Sequence, residues 1–303
     1  MERPLPGGGE CVAVSEVAAA SSGKSHQDEN FPVAALLGRR YRAPVLAFYN
    51  FVRAADDVAD HATLAPERKL ALLDGLARAL TGQGPSDPVA EPLKQALSRT
   101  RVTDRHALDL IEAFKLDVTK NRYRDFDDLV DYCRLSAMPV GRYVLDLHGE
   151  SRDTWVASDK LCAALQIINH LQDCGKDFRD LDRVYIPADA LDAHGARIDM
   201  LGAGRAAPEL RATIVDLARR TEKLLAESAV FPTQVRDLRL AMNVAAIQKL
   251  AERLTAGLLV RDPLYEKVHA SRAGFVTTAV AAAGVVLVRR ALSLGGNRRE
   301  GRT

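Results

Sequence analysis

The 303-residue chain lacks an excess of either charge: 42 Lys and Arg stand against 40 Asp and Glu, a formal balance of +2. That removes the electrostatic footprint of a nucleic-acid binder and leaves no acidic tail. Cysteine is sparse. Cys11, Cys133, Cys162 and Cys174 form no CxxC pair and no dense disulfide spacing, which fits a reducing, cytoplasmic setting. The mildly apolar stretch from Cys11 to Ala20 is broken up by Glu10 and Glu16 without a preceding basic region, so a signal peptide is not expected. The charge-free stretch Phe275 to Val288 falls short of the roughly 20 apolar residues that a spanning helix needs, and Arg289 and Arg290 follow it directly. A packed or an interfacial helix fits it better, and both readings stay open. The seven histidines form no HExxH and pair with no cysteine at ligand spacing, which weakens a zinc reading. No Walker-type GxxxxGK occurs, and Gly7-Gly8-Gly9 has no strand and helix after it, so a phosphate loop is absent too.

Alternating strand patterns, fixed-length repeats and sustained heptads are also missing. What remains is helical periodicity, and at 47% hydrophobic residues the chain can bury a large core, so the expected fold class is all-α. Residues 1–25 read as a loose tail, 26–272 as one globular domain, and 273–303 as an apolar helix with a basic end. Glu67 to Leu80 carries Leu70, Leu73, Leu76, Ala77 and Leu80 on one stripe before Thr81-Gly82 ends it. Thr103 is expected to cap a helix running to about Lys120. Further helices are expected over Asp125 to His148, Ser158 to Lys176, Pro208 to about Ala229 and Val235 to Val260, with a loop around Pro187 and the Gly-rich 195–204 region.

Two acidic motifs break the amphipathic logic. Asp56-Asp57-Val58-Ala59-Asp60 closes an apolar helix that includes Val45, Leu46, Phe48, Tyr49, Phe51 and Val52. Asp56 and Asp60, four apart, share a face, with Asp57 on the flank. Like charges at that spacing repel, and carboxylates at a helix C-terminus oppose its dipole, so the arrangement is costly without a cation. The second motif runs from Gln166 to Asp177: Asn169, Asp173 and Asp177 follow one another at single-turn spacing, after residues apolar enough to be buried on most sides. Oxygen ligands of this kind suit Mg2+, which keeps several waters and completes its shell with substrate phosphates. Either motif alone is more often a solvated acidic face. Two in the same apolar context, flanked by Arg53, Lys176 and Arg183, are not expected of independent surface patches.

At these residues the sequence resembles the squalene and phytoene synthase family, over most of the chain from about Ser25 to Arg272. The resemblance rests on Ala47-Phe48-Tyr49 through Asp60, on Tyr132-Cys133 through Val140-Gly141, and on Gln166 through Asp177 with Arg183-Val184-Tyr185-Ile186-Pro187. It implies the isoprenoid synthase helical bundle around a central cavity. It further implies Asp56, Asp60, Asp173 and Asp177 as Mg2+-binding carboxylates with Asp57 and Asn169 beside them, and Arg53 and Arg183 as diphosphate contacts. Tyr132 would face the reacting carbons, and Phe48, Tyr49 and Gln166 would line the substrate site. A buried tyrosine with one hydrogen bond is an equally good account of Tyr132 from sequence.

The wording Asp28-Glu29-Asn30-Phe31-Pro32 and Asn169-His170-Leu171-Gln172-Asp173-Cys174-Gly175-Lys176-Asp177 resembles the family branch of the bacterial hopanoid pathway. That branch ionises presqualene diphosphate and captures the cation with water, without NADPH. Gln27-Asp28-Glu29-Asn30-Phe31 stands where relatives that condense two prenyl diphosphates carry a cation, which favours a task with one diphosphate. Glu29 and Asn30 are the candidates for placing the water. Partners implied are presqualene diphosphate, other squalene-pathway enzymes, and the inner face of a membrane touched through the C-terminal helix. Two rivals remain open: condensation of two prenyl diphosphates, and a non-catalytic assembly factor of the same fold, against which the intact carboxylate pairs argue.

Overall fold

A computed structural model describes residues 38–269, together with Val17, Thr277, Ala281, Ala282 and 284–287. The expectations placed on Asp28 to Phe31, on the tail and on most of Phe275 to Val288 lie outside the described residues. Within them the chain is helical, and its sole extended pairing is one parallel bridge between Arg122 and Val184.

The first long helix, α1 (Arg39–Asp60), buries Tyr41, Val45, Phe48, Phe51, Ala55 and Val58. These recur every three or four residues and form one stripe. Next come α2 (Pro66–Thr81), α3 (Glu91–Ser98) and α4 (Arg105–Thr119). Helix α2 ends on Gly82 at φ 74°, a left-handed conformation that glycine adopts without steric cost. The cap of α4 is Asp104 rather than Thr103, and it makes no side-chain capping bond. Asp125 to His148 is not one helix. It divides into α5 (Phe126–Ser136) and α6 (Met138–His148) at Ala137, whose φ of −128° leaves the helical region. Pro139 causes the restart, because its missing N–H is tolerated only in a helix's first turn.

Helix α7 (Trp155–Leu181) extends beyond the expected end at Lys176, reading through Gly175 to a left-handed Asp182 at φ 51°. The short α8 (Ala188–Ala193), the long α9 (Pro208–Ser228), a single turn α10 (Phe231–Gln234) and α11 (Leu238–Val260) follow. The Asp237 side chain caps α11 by accepting from the Leu240 N–H at 2.9 Å.

Packing divides the bundle into two halves. On one side α1 lies against α2, α3 and α4; on the other α7 lies against α9 and α11. Helices α5 and α6 join them, each touching both α4 and α7. The two acidic helices α1 and α7 therefore face each other from opposite halves, with at most marginal direct packing between them. Segment 121–124, after α4, is tied by backbone bonds to segment 184–189, after α7. Val184 N–H donates to Asn121 O at 2.9 Å, and Ala188 N–H to Tyr123 O at 2.9 Å. Three described cysteines, Cys133, Cys162 and Cys174, are free thiols. Among the described residues no helix is long and apolar enough to cross a membrane.

Gly141 marks the tightest approach of α6 to α7: a Cβ there would meet Ser158 Oγ at 2.5 Å and Cys162 Sγ at 2.7 Å. Because Ser158 is fully buried, its hydroxyl has no free room to retreat into. Gly141→Ala is expected to lower unfolding stability by about 1–3 kcal/mol through overpacking, visible as a reduced midpoint in urea denaturation.

Candidate active site

The end of α1 carries Arg53, Asp56, Asp57 and Asp60. Arg53 reaches down its own helix to Asp56 at 3.2 Å and Asp57 at 3.1 Å. Asp57 departs from the expected metal-facing position: its side chain is only 4% exposed and its oxygen is held by Arg53. Asp56 and Asp60 keep about a third of their side-chain surface open, at 32% and 39%. Burial, followed by the neighbouring Asp60, raises the Asp56 carboxyl well above the usual carboxylate range.

On α7, Asn169, Asp173 and Asp177 are each partly accessible. Asp177 is pushed up to about 7, first by burial and then by Asp173, with Asp60 adding to it across the gap. Asn169 Oδ1 is buried without a hydrogen-bond partner. An orphaned buried oxygen beside crowded carboxylates is costly as it stands and is relieved by a cation. The donor set therefore fits a hard divalent ion. Among the described residues no three His, Cys, Asp or Glu side chains gather tightly enough to hold a metal alone. The remaining ligands would be water and substrate oxygens, the usual habit of magnesium.

Arg183 is the piece that joins both faces. The left-handed Asp182, held by the Arg122 guanidinium at 2.6 Å, turns the chain so that Arg183 N–H donates to Asp177 O at 3.2 Å. The buried Arg183 guanidinium then donates to Asp60 Oδ1 at 2.6 Å, to Asp117 O at 3.1 Å and to Ala59 O at 3.4 Å. Lys69 Nζ donates to the same Ala59 carbonyl at 2.8 Å. Two cations thus complement the negative end of α1, which its own aspartates would otherwise worsen.

Below this lies an aromatic cluster. Tyr132 and Tyr185 donate their hydroxyls to the two oxygens of Asp117, at 2.9 and 3.0 Å. Asp117 is 6% exposed, and burial pushes its carboxyl up to about 6 against the opposing pull of Arg183. Tyr123 packs on both tyrosines, with ring centroids 5.4 and 5.5 Å away. His170 stacks on Tyr185 at 3.5 Å and meets Gln166 at 3.1 Å. Burial, then Arg183, pushes its imidazole down to about 3, so the ring is neutral.

Of the expected site residues, Arg53, Asp56, Asp60, Asp177, Arg183 and Tyr132 fall into this one connected set, with Gln166 joined through His170. Phe48 sits elsewhere: it is buried, stacked at 3.9 Å and 11° on Tyr143. Tyr49 is half-buried one turn before Arg53. Sequence reasoning missed Asp117, Tyr123, Tyr185 and His170. Asp117 did leave a signal, since it continues the buried stripe Leu110, Phe114 of α4 and so places a carboxylate where a hydrophobe belongs. A separate cavity of about 840 Å³ lies at the other side of α11, lined by Gln248, Glu252, Ala282 and Val286, remote in sequence from every carboxylate named above.

An all-helical bundle that sets two aspartate-bearing helices face to face defines the class of isoprenoid synthase folds. The pattern of the Squalene/phytoene synthase family matches residues 24–273. The chain belongs to that family, whose members act on prenyl diphosphates. It is 50% identical over 275 residues to a hydroxysqualene synthase of Rhodopseudomonas palustris, covering 90% of this chain and 94% of that one. A hydroxysqualene synthase of Sinorhizobium fredii is 51% identical over 271 residues, covering 89% and 93%. The crystal structure of squalene synthase HpnC from Alicyclobacillus acidocaldarius superposes with a TM-score of 0.68 at 30% identity, over 80% of this chain and 91% of that one.

Asp56, Asp117 and Asp177 all lie above the ordinary carboxylate value of 3.8 in the folded protein. Between about pH 4 and 7 the folded state therefore binds more protons than the unfolded chain, and the stability these groups contribute is lost as pH rises through that window. The metal-free protein is expected to melt at progressively lower temperature from about pH 5 to 7.5, with a shallower fall in Asp177→Asn; calorimetry at several pH values checks both.

Proposed function

We propose that this chain converts presqualene diphosphate and water to hydroxysqualene, releasing diphosphate. Relatives named hydroxysqualene synthase at about half identity over nine tenths of the chain support the reading. The structural observation that carries it is the Arg183 bridge, which ties the two acidic helices to one buried cation.

Atoms and electrons balance without a redox partner. The ester C–O bond to diphosphate breaks and its electron pair leaves on the diphosphate oxygen. The cyclopropylcarbinyl cation rearranges, a water oxygen forms a new C–O bond, and one proton is released. No reductant enters, which agrees with an activity independent of NADPH.

Asp56, Asp60, Asp173, Asp177 and Asn169 would hold Mg2+, which when bound neutralises the leaving oxygens as a Lewis acid. Arg53 and Arg183 bind and orient the diphosphate, and their charge stabilises the oxygens as the ester bond lengthens. Asp57 acts through Arg53, fixing its guanidinium over Asp56. Asp117 holds Tyr132 and Tyr185 with both hydroxyls committed; with the Tyr185 ring stacked by His170, the ring of Tyr132, and not its oxygen, is the one to meet the positive carbons. The same commitment removes two nucleophiles from the neighbourhood of a carbocation.

Purified protein given presqualene diphosphate and Mg2+ without reductant is expected to yield hydroxysqualene by mass spectrometry. A C30 product from farnesyl diphosphate alone would favour the condensing reading instead, and no turnover of either substrate would leave the assembly-factor reading standing.

The substrate is a lipid with one charged end, and the proposal extends to peripheral contact with the inner face of a cytoplasmic membrane. Val285 and Leu287, on the apolar C-terminal stretch, are 53% and 49% exposed, and exposed large hydrophobes followed by arginines suit an interface. Deleting the residues after Arg272 is expected to release the protein from anionic vesicles in flotation; unchanged partition would refute the contact.

A further inference from the structure

Water capture raises a problem that the residues assigned so far do not solve. A rearranging cation in an aromatic pocket loses a proton or meets a nucleophile according to which neighbour is nearest, so one water must be held at one place. Asp117 is occupied by two phenols, and Arg53 and Arg183 by carboxylates. Beside the tyrosines the described residues leave the Tyr123 hydroxyl and Asn169 Oδ1 without partners, and one polar pair in which two side chains act together.

Gln166 and His170 stand one turn apart on α7, and their side chains meet at 3.1 Å. The imidazole is pinned face to face on Tyr185 at 3.5 Å and 15°, and lies 6.0 Å from the Tyr132 ring. Among the described residues Gln166 is its one hydrogen-bond partner, so its other ring nitrogen makes no bond to the protein. With the imidazole Nε2 taken by one N–H of the Gln166 amide, the anchored amide keeps its carbonyl oxygen as acceptor and its second N–H as donor, two directions that suffice to fix a single water. A ring whose only purpose was packing against Tyr185 would not need nitrogen atoms, and a buried imidazole in a carbocation site is itself a rival nucleophile unless it is engaged.

We propose that Gln166 and His170 hold the water that captures the product cation, which makes this pair the determinant of alcohol over hydrocarbon product. The inference rests on the hydroxysqualene reading above. In the step, a lone pair on the held water forms the C–O bond, and the surplus proton passes to an oxygen of the departed diphosphate, so the imidazole keeps its protonation state throughout. Without the held water, the same cation would lose a proton from carbon to the diphosphate and give a C30 hydrocarbon.

The test measures hydroxysqualene formed per diphosphate released, with presqualene diphosphate and Mg2+, in wild type, His170→Phe, Gln166→Leu and His170→Asn. Phe keeps the stack on Tyr185, Leu suits a half-buried helical position, and Asn restores a polar partner. In both His170→Phe and Gln166→Leu the ratio is expected to fall at least about tenfold, with C30 hydrocarbon making up the difference, a change equivalent to about 1.4 kcal/mol between competing barriers. His170→Asn is expected to recover part of the alcohol. Slower diphosphate release at an unchanged ratio would show a merely structural pair and overturn the proposal. A wild-type enzyme that makes no hydroxysqualene would refute the underlying reading instead, so the two failures are told apart. Should one variant fail to fold, the other decides the outcome alone.

Discussion

The guanidinium of Arg183 meets two helices at once: the carboxylate of Asp60 and the carbonyl of Ala59 on α1, and the carbonyl of Asp117 on α4. Its own backbone N–H closes onto Asp177 at the end of α7. Without this residue the carboxylate ends of the two acidic helices would lose their shared cation, although α6 still packs on both helices. A buried cation in this place costs desolvation, and it is repaid only because a carboxylate and two carbonyls receive it. The like-charge crowding on both helices is therefore not a flaw that the fold tolerates. It is a deficit of positive charge that one arginine meets in part and that the donor set leaves open for more.

The electrostatic layer sits directly on the aromatic one. Asp117 takes part in both, since its backbone carbonyl receives Arg183 and its side chain receives Tyr132 and Tyr185. Charge separation is the central difficulty of ionising a diphosphate ester in a greasy pocket: the anion needs fixed cations, and the cation needs faces that stabilise without reacting. Coupling the two layers through one buried carboxylate fixes the distance between them. It also explains why three tyrosines and a histidine are packed where aliphatic side chains would fill the space more cheaply.

Family resemblance and geometry separate at the level of single residues. Phe48 belongs to the motif that carries the resemblance, yet its ring is engaged with Tyr143 in the core between α1 and α6. Asp57 lies in the aspartate motif itself, yet it is a buried partner of Arg53. Conversely His170, quoted within the motif but given no role from sequence, occupies the centre of the aromatic cluster.

Periodicity and spacing in the chain were enough to establish an all-helical fold, the ends of α2 and α9, and the shared faces of Asp56 with Asp60 and of Asp173 with Asp177, because each depends only on contacts within a turn or two of helix. Breaks set by local chemistry were partly legible: Gly82 was, whereas the restart at Pro139 and the run of α7 beyond Lys176 to a left-handed Asp182 were not, since packing overrides weak local signals. Only the tertiary structure decided that Arg183 serves Asp60, that Asp117 gathers two tyrosines from different segments, and that His170 faces Tyr185. Those partners are 123, 15, 68 and 15 residues apart in the chain. No helical period reports a relation at such separations, because it is made by the packing of one half of the bundle against the other.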